Sequence, residues 1–292
     1  MRVYGDIQPC HQAVRRVQQD GGTVGLVPTM GALHAGHLSL IRAARARCTS
    51  TAVTIFVNPT QFGPGEDFES YPRTWEADLA ACRAEGVAMV FAPPVEVMYP
   101  EGARTTVHVG RLTDGLCGPR RPGHFDGVAT VVAKLFNILP ADVAFFGEKD
   151  YQQLQVIRRM ARDLDFPIEI VGCPTVREPD GLALSSRNRY LAPSERRQAA
   201  SLSRALFGAQ AAVASGQRDV PAVVSRIRAE IVAAGPVEIE YIEVVDADTL
   251  EPLRVVDRPA RIALAVRIGA CRLIDNVEAE EGKQASRQAG GT

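Results

Sequence analysis

The 292-residue sequence lacks any apolar run near the length of about 20 residues that a helix needs to cross a bilayer. Its first residues, MRVYGDIQPCH, also lack the basic and then apolar order that is typical of a secretory signal. The six cysteines include no C-x-x-C pair, which argues against zinc knuckles and thioredoxin-type sites. We therefore expect a cytoplasmic protein with reduced thiols and no membrane partner.

An excess of one charge is also missing, since 33 basic residues stand against 34 acidic ones. This balance disfavours a general nucleic-acid-binding surface, although it leaves room for a local basic cleft. No G-x-S-x-G sequence is present, so a nucleophile elbow is not predicted. Histidine is scarce as well, with five in the chain, yet His34 and His37 lie at one predicted junction of strand and helix.

Short β-branched runs alternate with longer amphipathic segments between residues 23 and 172. Six runs are predicted as strands: TVGLV (23–27), AVTIFV (52–57), AMVFA (88–92), TTVHV (105–109), DVAFF (142–146) and IEIVG (168–172). The alternation predicts an α/β domain with a doubly wound, Rossmann-like parallel sheet over residues 1–175. Ligands of such sheets bind beyond the carboxyl ends of the strands.

The pattern changes after about residue 175. Two helices are predicted at 194–215 and 220–235, followed by strands at VEIEYIEVV (237–245) and RIALAVRIG (261–269). We expect a smaller α+β domain over residues 176–280 that acts as a lid. The polar residues 281–292 are expected to form a frayed tail.

The stretch VPTMGALHAGHL spaces Gly31 and Gly36 as in the phosphate loop G-x-x-x-x-G-K-[ST]. His37 stands in place of the lysine and Leu38 in place of the hydroxyl residue, so an ordinary P-loop is excluded. The turn can still expose helix N-terminal amides to a phosphate that His34 and His37 also face. Alternatively, one histidine caps the helix and the other is a surface residue, and the spacing alone does not decide.

Polar side chains follow two other predicted strands. In FFGEKDYQQL, Lys149 lies where a phosphate is expected, but Asp150 and Gln153 are also explained as a helix N-cap and its partner. In FVNPTQFG, Asn58 and Gln61 supply uncharged amides that can hydrogen-bond a small polar acid. A turn at Asn-Pro explains Asn58 equally well.

The loop GLALSSRNRYL combines the hydroxyls of Ser185 and Ser186 with the guanidinium of Arg187. These groups suit an oxyanion clamp, because arginine offers a bidentate fork and the serines add neutral donors. An ordinary surface loop is the alternative. The position at the predicted domain junction favours the clamp, since a mobile domain could close it over a nucleotide.

The remaining histidines are less informative. His124 in RPGHFDG has basic neighbours, Arg120 and Arg121, and is a candidate for the wall of the same cleft. His11 and His108 are expected to be structural or surface residues.

These segments, taken in order, resemble the pantoate:beta-alanine ligase family. The similarity runs from PTMGALHAGH through FVNPTQFG, YPRT, FFGEKDYQQL and PTVRE to GLALSSRNRYL, and ends near RLIDN. That family belongs to the nucleotidyltransferase superfamily, whose H-x-G-H signature is filled here by His34, Gly36 and His37. Leu184 stands where the family commonly has methionine, and this apolar exchange puts little in doubt.

The resemblance implies an AMP-forming ligase of pantothenate biosynthesis that joins D-pantoate to beta-alanine with ATP, through pantoyl adenylate. It also implies Mg²⁺, held mainly by ATP oxygens and water, and a homodimer. It assigns proton donation to His37, phosphate contact to His34 and Lys149, and pantoate binding to Gln61 and Gln153. Gln61 also lies near the beta-alanine site in this assignment, and Asn58 supports the pocket. The residues assigned to ATP are Met30, Gly31, Ala32, Leu33, His34, Ala35, Gly36, His37, Gly147, Glu148, Lys149, Asp150, Val176, Leu184, Ser185, Ser186 and Arg187.

Two other functions share parts of this pattern. A nucleotidyltransferase that adenylates a phosphorylated cofactor precursor would keep the H-x-G-H turn, but would need neither amides for an unphosphorylated acid nor an amine site. A nucleotide sensor or a tRNA-binding relative is the second alternative. The full set of candidate phosphate ligands disfavours a pure sensor, and the balanced charge disfavours tRNA.

Overall fold

The computed structural model describes residues 1–280 as two compact units, residues 1–189 and the chain from Tyr190 onward. The sequence predicts a division near residue 175, so residues 176–189 belong here to the first unit. No helix in the described part of the chain is long and apolar enough to cross a membrane. The predicted tail, 281–292, lies outside the described residues.

The first unit is built on a six-stranded sheet in the order β1-β4-β3-β2-β5-β6, with every pairing parallel. The predicted doubly wound α/β fold is therefore confirmed. The short β1 has no counterpart among the predicted strands. The strands are β1 (Arg2–Tyr4), β2 (Val24–Thr29), β3 (Ser50–Ile55), β4 (Met89–Phe91), β5 (Val143–Gly147) and β6 (Glu169–Cys173).

Helices link these strands and bury their apolar faces against the sheet. Val27, Ile41, Val53, Val90 and Phe145 form part of one buried cluster between sheet and helix. Burial of such side chains contributes about 1.5–3 kcal/mol each. The helices are α1 (Ile7–Gln19), α2 (Ala35–Arg47), α3 (Trp75–Ala84), α4 (Val95–Met98), α5 (His124–Ile138) and α6 (Tyr151–Asp163).

The strand order fixes where a ligand can bind. From β2 the sheet continues through β3 on one side and through β5 on the other, so the crossovers turn in opposite directions at β2. Such a switch point opens a crevice at the carboxyl ends of the strands. Residues 30–37 follow β2 at this crevice, and the 3₁₀ turn Glu148–Asp150 follows β5.

The predicted strand at residues 105–109 is wrong. The segment belongs to no sheet of the described chain. Its Val107 N–H donates to Thr130 Oγ1 at 2.9 Å, and His108 Nδ1 lies 2.9 Å from Asp126 Oδ1. Contacts with side chains of α5 thus hold this segment where a neighbouring strand was expected.

The second unit consists of two helices and a three-stranded antiparallel sheet, as the α+β prediction requires. Its last strand was not predicted, because Asp275 and Asn276 are buried in it and interrupt the apolar alternation. The elements are α7 (Pro193–Ala214), α8 (Val220–Ala233), β7 (Glu238–Asp246), β8 (Ala260–Ile268) and β9 (Cys271–Ala279).

Candidate active site

A pocket at the switch point of the first unit brings together most of the predicted site residues. Five others lie outside its lining: Gly31, Ala32, Leu33, Ala35 and Glu148. The predicted residues on the lining are Met30, His34, Gly36, His37, Asn58, Gln61, Gly147, Lys149, Asp150, Gln153, Val176, Leu184, Ser185, Ser186 and Arg187. The pocket therefore unites strand ends that are far apart in sequence.

His34 and His37 are both held by backbone amides at the start of α2. His34 Nδ1 accepts from Gly36 N–H at 3.1 Å, and His37 Nδ1 accepts from His34 N–H at 3.4 Å. A nitrogen that accepts carries no proton, so each neutral ring holds its proton on Nε2. The ring centroids are 4.1 Å apart. His34 thus caps the helix, and both rings still offer a donor to the pocket.

Both rings are neutral at pH 7 when no ligand is bound. Burial lowers the pKa of His37 to about 3, and the neighbouring His34 adds to this shift. Burial, and then the charge of Lys149, also lowers the pKa of His34. A bound polyphosphate would raise both pKa values, because nearby negative charge favours the protonated ring.

Asp78 of α3 fixes the turn before the histidines. Its buried carboxylate accepts from Ala32 N–H at 3.0 Å and from Leu33 N–H at 2.8 Å. Gly31 and Ala32 have φ values of 84° and 50°, in the left-handed region that favours glycine. The amides of Ala32 and Leu33, in the turn before α2, are thus engaged by a carboxylate. Asp78 was missed because 46 residues separate it from Ala32.

Asn58 fixes the orientation of the Gln61 side chain. The Asn58 side chain is buried, and its Oδ1 accepts from Tyr99 Oη–H at 2.8 Å. Its Nδ2 donates to Gln61 Oε1 at 3.1 Å and to Gly127 O at 3.2 Å. The Gln61 amide nitrogen lies 3.2 Å from Met30 Sδ, a weak acceptor, and can donate to a ligand carboxylate or hydroxyl.

Lys149 and Asp150 lie together after β5. Lys149 Nζ is 3.7 Å from Asp150 Oδ1, and the lysine side chain is 20% exposed. Asp150 occupies the N-cap position of α6 but makes no side-chain capping bond, so the capping interpretation of this carboxylate is wrong. The pair therefore places a cation and a carboxylate at the edge of the pocket.

The loop that carries Ser185, Ser186 and Arg187 is held by Asp67 and Tyr71, which lie in the segment between β3 and α3. The Arg187 guanidinium donates to Asp67 through Nε at 2.9 Å and through Nη2 at 2.7 Å. Ser186 also hydrogen-bonds the hydroxyl of Tyr71, a residue whose pKa is raised by burial. Sequence reasoning missed Asp67 and Tyr71, because nothing in their surroundings indicates distant partners.

Of the other candidates, His124 lines the pocket, as predicted, and its neighbour Arg121 lines it too. Arg120 is exposed and lies outside the lining. His11 and His108 also lie outside it. His11 Nδ1 is 3.2 Å from the carbonyl oxygen of Asn137.

The family model for pantoate-beta-alanine ligase matches residues 2–278 of the chain. The chain belongs to this family. The resemblance seen in the sequence motifs is thereby confirmed, and the protein is a ligase. The pantothenate synthetase of Sphingopyxis alaskensis is 54% identical over 277 residues, which cover 95% of this chain and 99% of that protein.

Solved structures agree with this assignment. The crystal structure of pantothenate synthetase from Thermus thermophilus matches with a TM-score of 0.90 and 47% identity, over 95% of this chain and 99% of that chain. The pantoate-beta-alanine ligase of Francisella tularensis, complexed with beta-gamma ATP and beta-alanine, matches with a TM-score of 0.79 and 32% identity. That match covers 95% of this chain and 97% of the other.

Proposed function

We propose that this pocket carries out both half-reactions of the ligase. The enzyme joins D-pantoate to beta-alanine through pantoyl adenylate, consumes ATP and releases pyrophosphate and AMP. The observation that carries the assignment of roles is that two chemically different sets of groups line one pocket. We call His34, His37 and Lys149 the phosphate end, because they offer N–H donors and a positive charge, and we call the uncharged amides of Gln61 and Gln153 the acid end.

In the first step, a pantoate carboxylate oxygen attacks the α-phosphorus of ATP. The bond to the bridging oxygen of pyrophosphate breaks, and negative charge grows on the leaving group. The Nε2–H groups of His34 and His37 and the ammonium of Lys149 are donors placed to stabilise that charge. Gln61 donates its amide to pantoate, because Asn58 engages the carbonyl oxygen of its side chain.

In the second step, the neutral amine of beta-alanine attacks the acyl carbon of the adenylate and AMP leaves. A free carboxylate is a poor acyl donor, and adenylation supplies the leaving group that it lacks. We assign the phosphates to Lys149, Ser185, Ser186 and Arg187, and the rest of the nucleotide site to Gly147, Val176 and Leu184, which line the same pocket.

The donor set of the chain suits Mg²⁺ that enters with ATP. No group of three or more His, Cys, Asp or Glu side chains suited to a metal occurs among residues 1–280. Asp150 is the carboxylate among the described residues that line the pocket. Mg²⁺ often binds through one carboxylate, substrate phosphates and water. We therefore propose that Asp150 contributes to a site made mainly by ATP, where Mg²⁺ offsets phosphate charge.

Family membership also supports a cytoplasmic homodimer. Light scattering after gel filtration measures the oligomeric state. The lid movement of the second unit stays a prediction, which small-angle scattering with and without ATP can test.

Exchange of labelled pyrophosphate into ATP tests the proposed function. We expect exchange that requires D-pantoate and proceeds without beta-alanine, because the adenylate forms before the amine reacts. A phosphorylated acid in place of pantoate is expected to support no exchange. If ATP binds but pantoate induces no exchange, the proposed function is wrong.

A further inference from the structure

We propose that His124 is a positioning residue that holds Gln61 for the acid substrate, and that Glu66 and Arg121 select the neutral tautomer of His124 that does so. The inference rests on the proposed function, in which Gln61 binds pantoate. It assigns a role to three side chains that the two half-reactions above do not use.

The three side chains form a continuous line of hydrogen bonds that ends on the Gln61 backbone. Arg121 donates to Glu66 through Nε at 2.7 Å and through Nη2 at 2.6 Å. The remaining terminal nitrogen of the guanidinium, Nη1, lies 2.9 Å from His124 Nε2. His124 Nδ1 lies 2.8 Å from the carbonyl oxygen of Gln61.

The chemistry at each end of the imidazole selects the same tautomer of His124. A guanidinium has N–H donors and no acceptor, so His124 Nε2 must accept from Arg121 and carries no proton. A carbonyl oxygen can accept but not donate, so Nδ1 must carry the proton that faces Gln61. His124 is therefore held with its proton on Nδ1, whereas His34 and His37 hold theirs on Nε2.

The charge state of the ring agrees with this geometry. Burial lowers the pKa of His124 to about 4, and the positive charge of Arg121 adds to the shift. The Gln61 carbonyl, Glu66 and Asp150 act in the opposite direction with smaller effects. The ring is thus neutral at pH 7, and a second ring proton would point at the guanidinium.

Gln61 is held from three sides. Its carbonyl accepts from His124 Nδ1 at 2.8 Å and, more weakly, from Arg121 Nη2 at 3.4 Å, and its side-chain oxygen accepts from Asn58. Helix α5 approaches closely at Gly127, where an added Cβ would lie 2.3 Å from Thr60 O and 2.7 Å from Gln61 N. Movement of the Gln61 backbone would therefore displace the amide nitrogen that faces the substrate.

Two substitutions of His124 separate the roles of its nitrogens. Asparagine places an amide nitrogen near the position of Nδ1, whereas glutamine places its amide near Nε2. We expect H124Q to raise the KM for pantoate about tenfold, because the Gln61 carbonyl loses its short bond from His124 and keeps only the 3.4 Å bond from Arg121. We expect H124N to stay within about threefold of wild type, and both variants to bind ATP normally.

Thermal unfolding of both variants shows whether either fails to fold. The inference is overturned if folded H124Q binds pantoate as tightly as H124N or more tightly, or if the affinity for ATP falls as much as the affinity for pantoate.

Arg121→Gln, with Arg120→Gln as its matched control, tests the contribution of Arg121. Both remove one positive charge, and we expect the first to raise the KM for pantoate and the second to leave it unchanged.

Nuclear magnetic resonance of ¹⁵N-histidine-labelled enzyme tests the tautomer without any substrate. We expect the signals of His124, assigned by their loss in H124N, to show a protonated Nδ1 and a bare Nε2 at pH 7. A proton on Nε2 would overturn the inference whatever the kinetics show. If wild-type enzyme shows no pantoate-dependent exchange of pyrophosphate into ATP, the proposed function is contradicted instead. The NMR spectrum would still show which nitrogen of His124 carries the proton.

Discussion

The phosphate end and the acid end of the pocket both contain histidine, but the rings carry their protons on different nitrogens. At the phosphate end, backbone amides occupy Nδ1 of His34 and His37, so both Nε2–H groups can donate to a ligand. At the acid end, Arg121 occupies Nε2 of His124, so Nδ1–H donates to the protein itself. The partner of one nitrogen therefore decides whether the N–H of the other is available to the pocket or is used within the protein.

The two ends also differ in the sequence range of their contacts. The histidine contacts at the phosphate end join residues two and three positions apart. At the acid end, the bonds from Arg121 to Glu66 and from His124 to the Gln61 carbonyl join residues 55 and 63 positions apart. The ring orientation of His34 and His37 is thus set by local sequence, although Asp78 fixes the preceding turn from 46 positions away. The position of Gln61 depends on how α5 packs against the segment after β3. We expect changes at the phosphate end to alter rates and changes at the acid end to alter pantoate affinity.

The largest expected effect is on the rate of adenylation in Lys149→Ala. Loss of a preorganised charge costs roughly 3–4 kcal/mol of transition-state stabilisation, or several hundredfold in rate. Pyrophosphate exchange at saturating pantoate measures it, and Lys149→Arg is the control that keeps the charge. Near wild-type exchange in the alanine variant would remove Lys149 from the site.

Asp78→Asn is expected to loosen the turn that carries the phosphate-end histidines. The asparagine would point its NH₂ group, a donor, at the N–H of Ala32 or Leu33, which is also a donor. A buried donor that is left without an acceptor costs about 1–3 kcal/mol. Urea unfolding measures this loss, and Asp114→Asn on an exposed loop is the control. Equal stability of the two variants would show that the carboxylate is not needed to hold the turn.

Stability is expected to fall as the pH drops from 7 to 5. An unfolded histidine titrates near 6.5, whereas the pKa values of His37 and His124 are lowered to about 3 and about 4. The unfolded chain therefore binds more protons in this range, which costs about 1–2 kcal/mol per histidine. Unfolding free energies at both pH values measure the loss. H124N should show a smaller loss than wild type, and an equal loss would contradict the low pKa of His124.

The smallest expected effect is that of Tyr99→Phe at the acid end. The change removes a donor to Asn58 Oδ1, worth about 1 kcal/mol, and should raise the KM for pantoate severalfold. ATP affinity should stay constant. Tyr4→Phe, outside the pocket lining, is the control. If the affinity for ATP changes and the KM for pantoate does not, the assignment of pantoate binding to the acid end is contradicted.

Several features follow from the sequence alone. The alternation of strands and helices predicts the parallel sheet and its ligand-binding edge, because the periodicity of apolar residues reports local burial. The residues at strand ends, such as His37, Lys149 and Gln61, could be named because parallel strands bring their carboxyl ends together. The motifs in order also identify the family.

Other features are decided by tertiary structure. Residues 105–109 have the composition of a strand, but the N–H of Val107 donates to Thr130 of α5 and the segment joins no sheet. Asp78 looks like a helix surface residue, yet it is buried against a turn 46 positions away. The tautomer of His124 depends on Arg121 and on a distant carbonyl. Local sequence encodes burial and backbone preference, whereas the partner of a polar group is chosen when distant segments pack together.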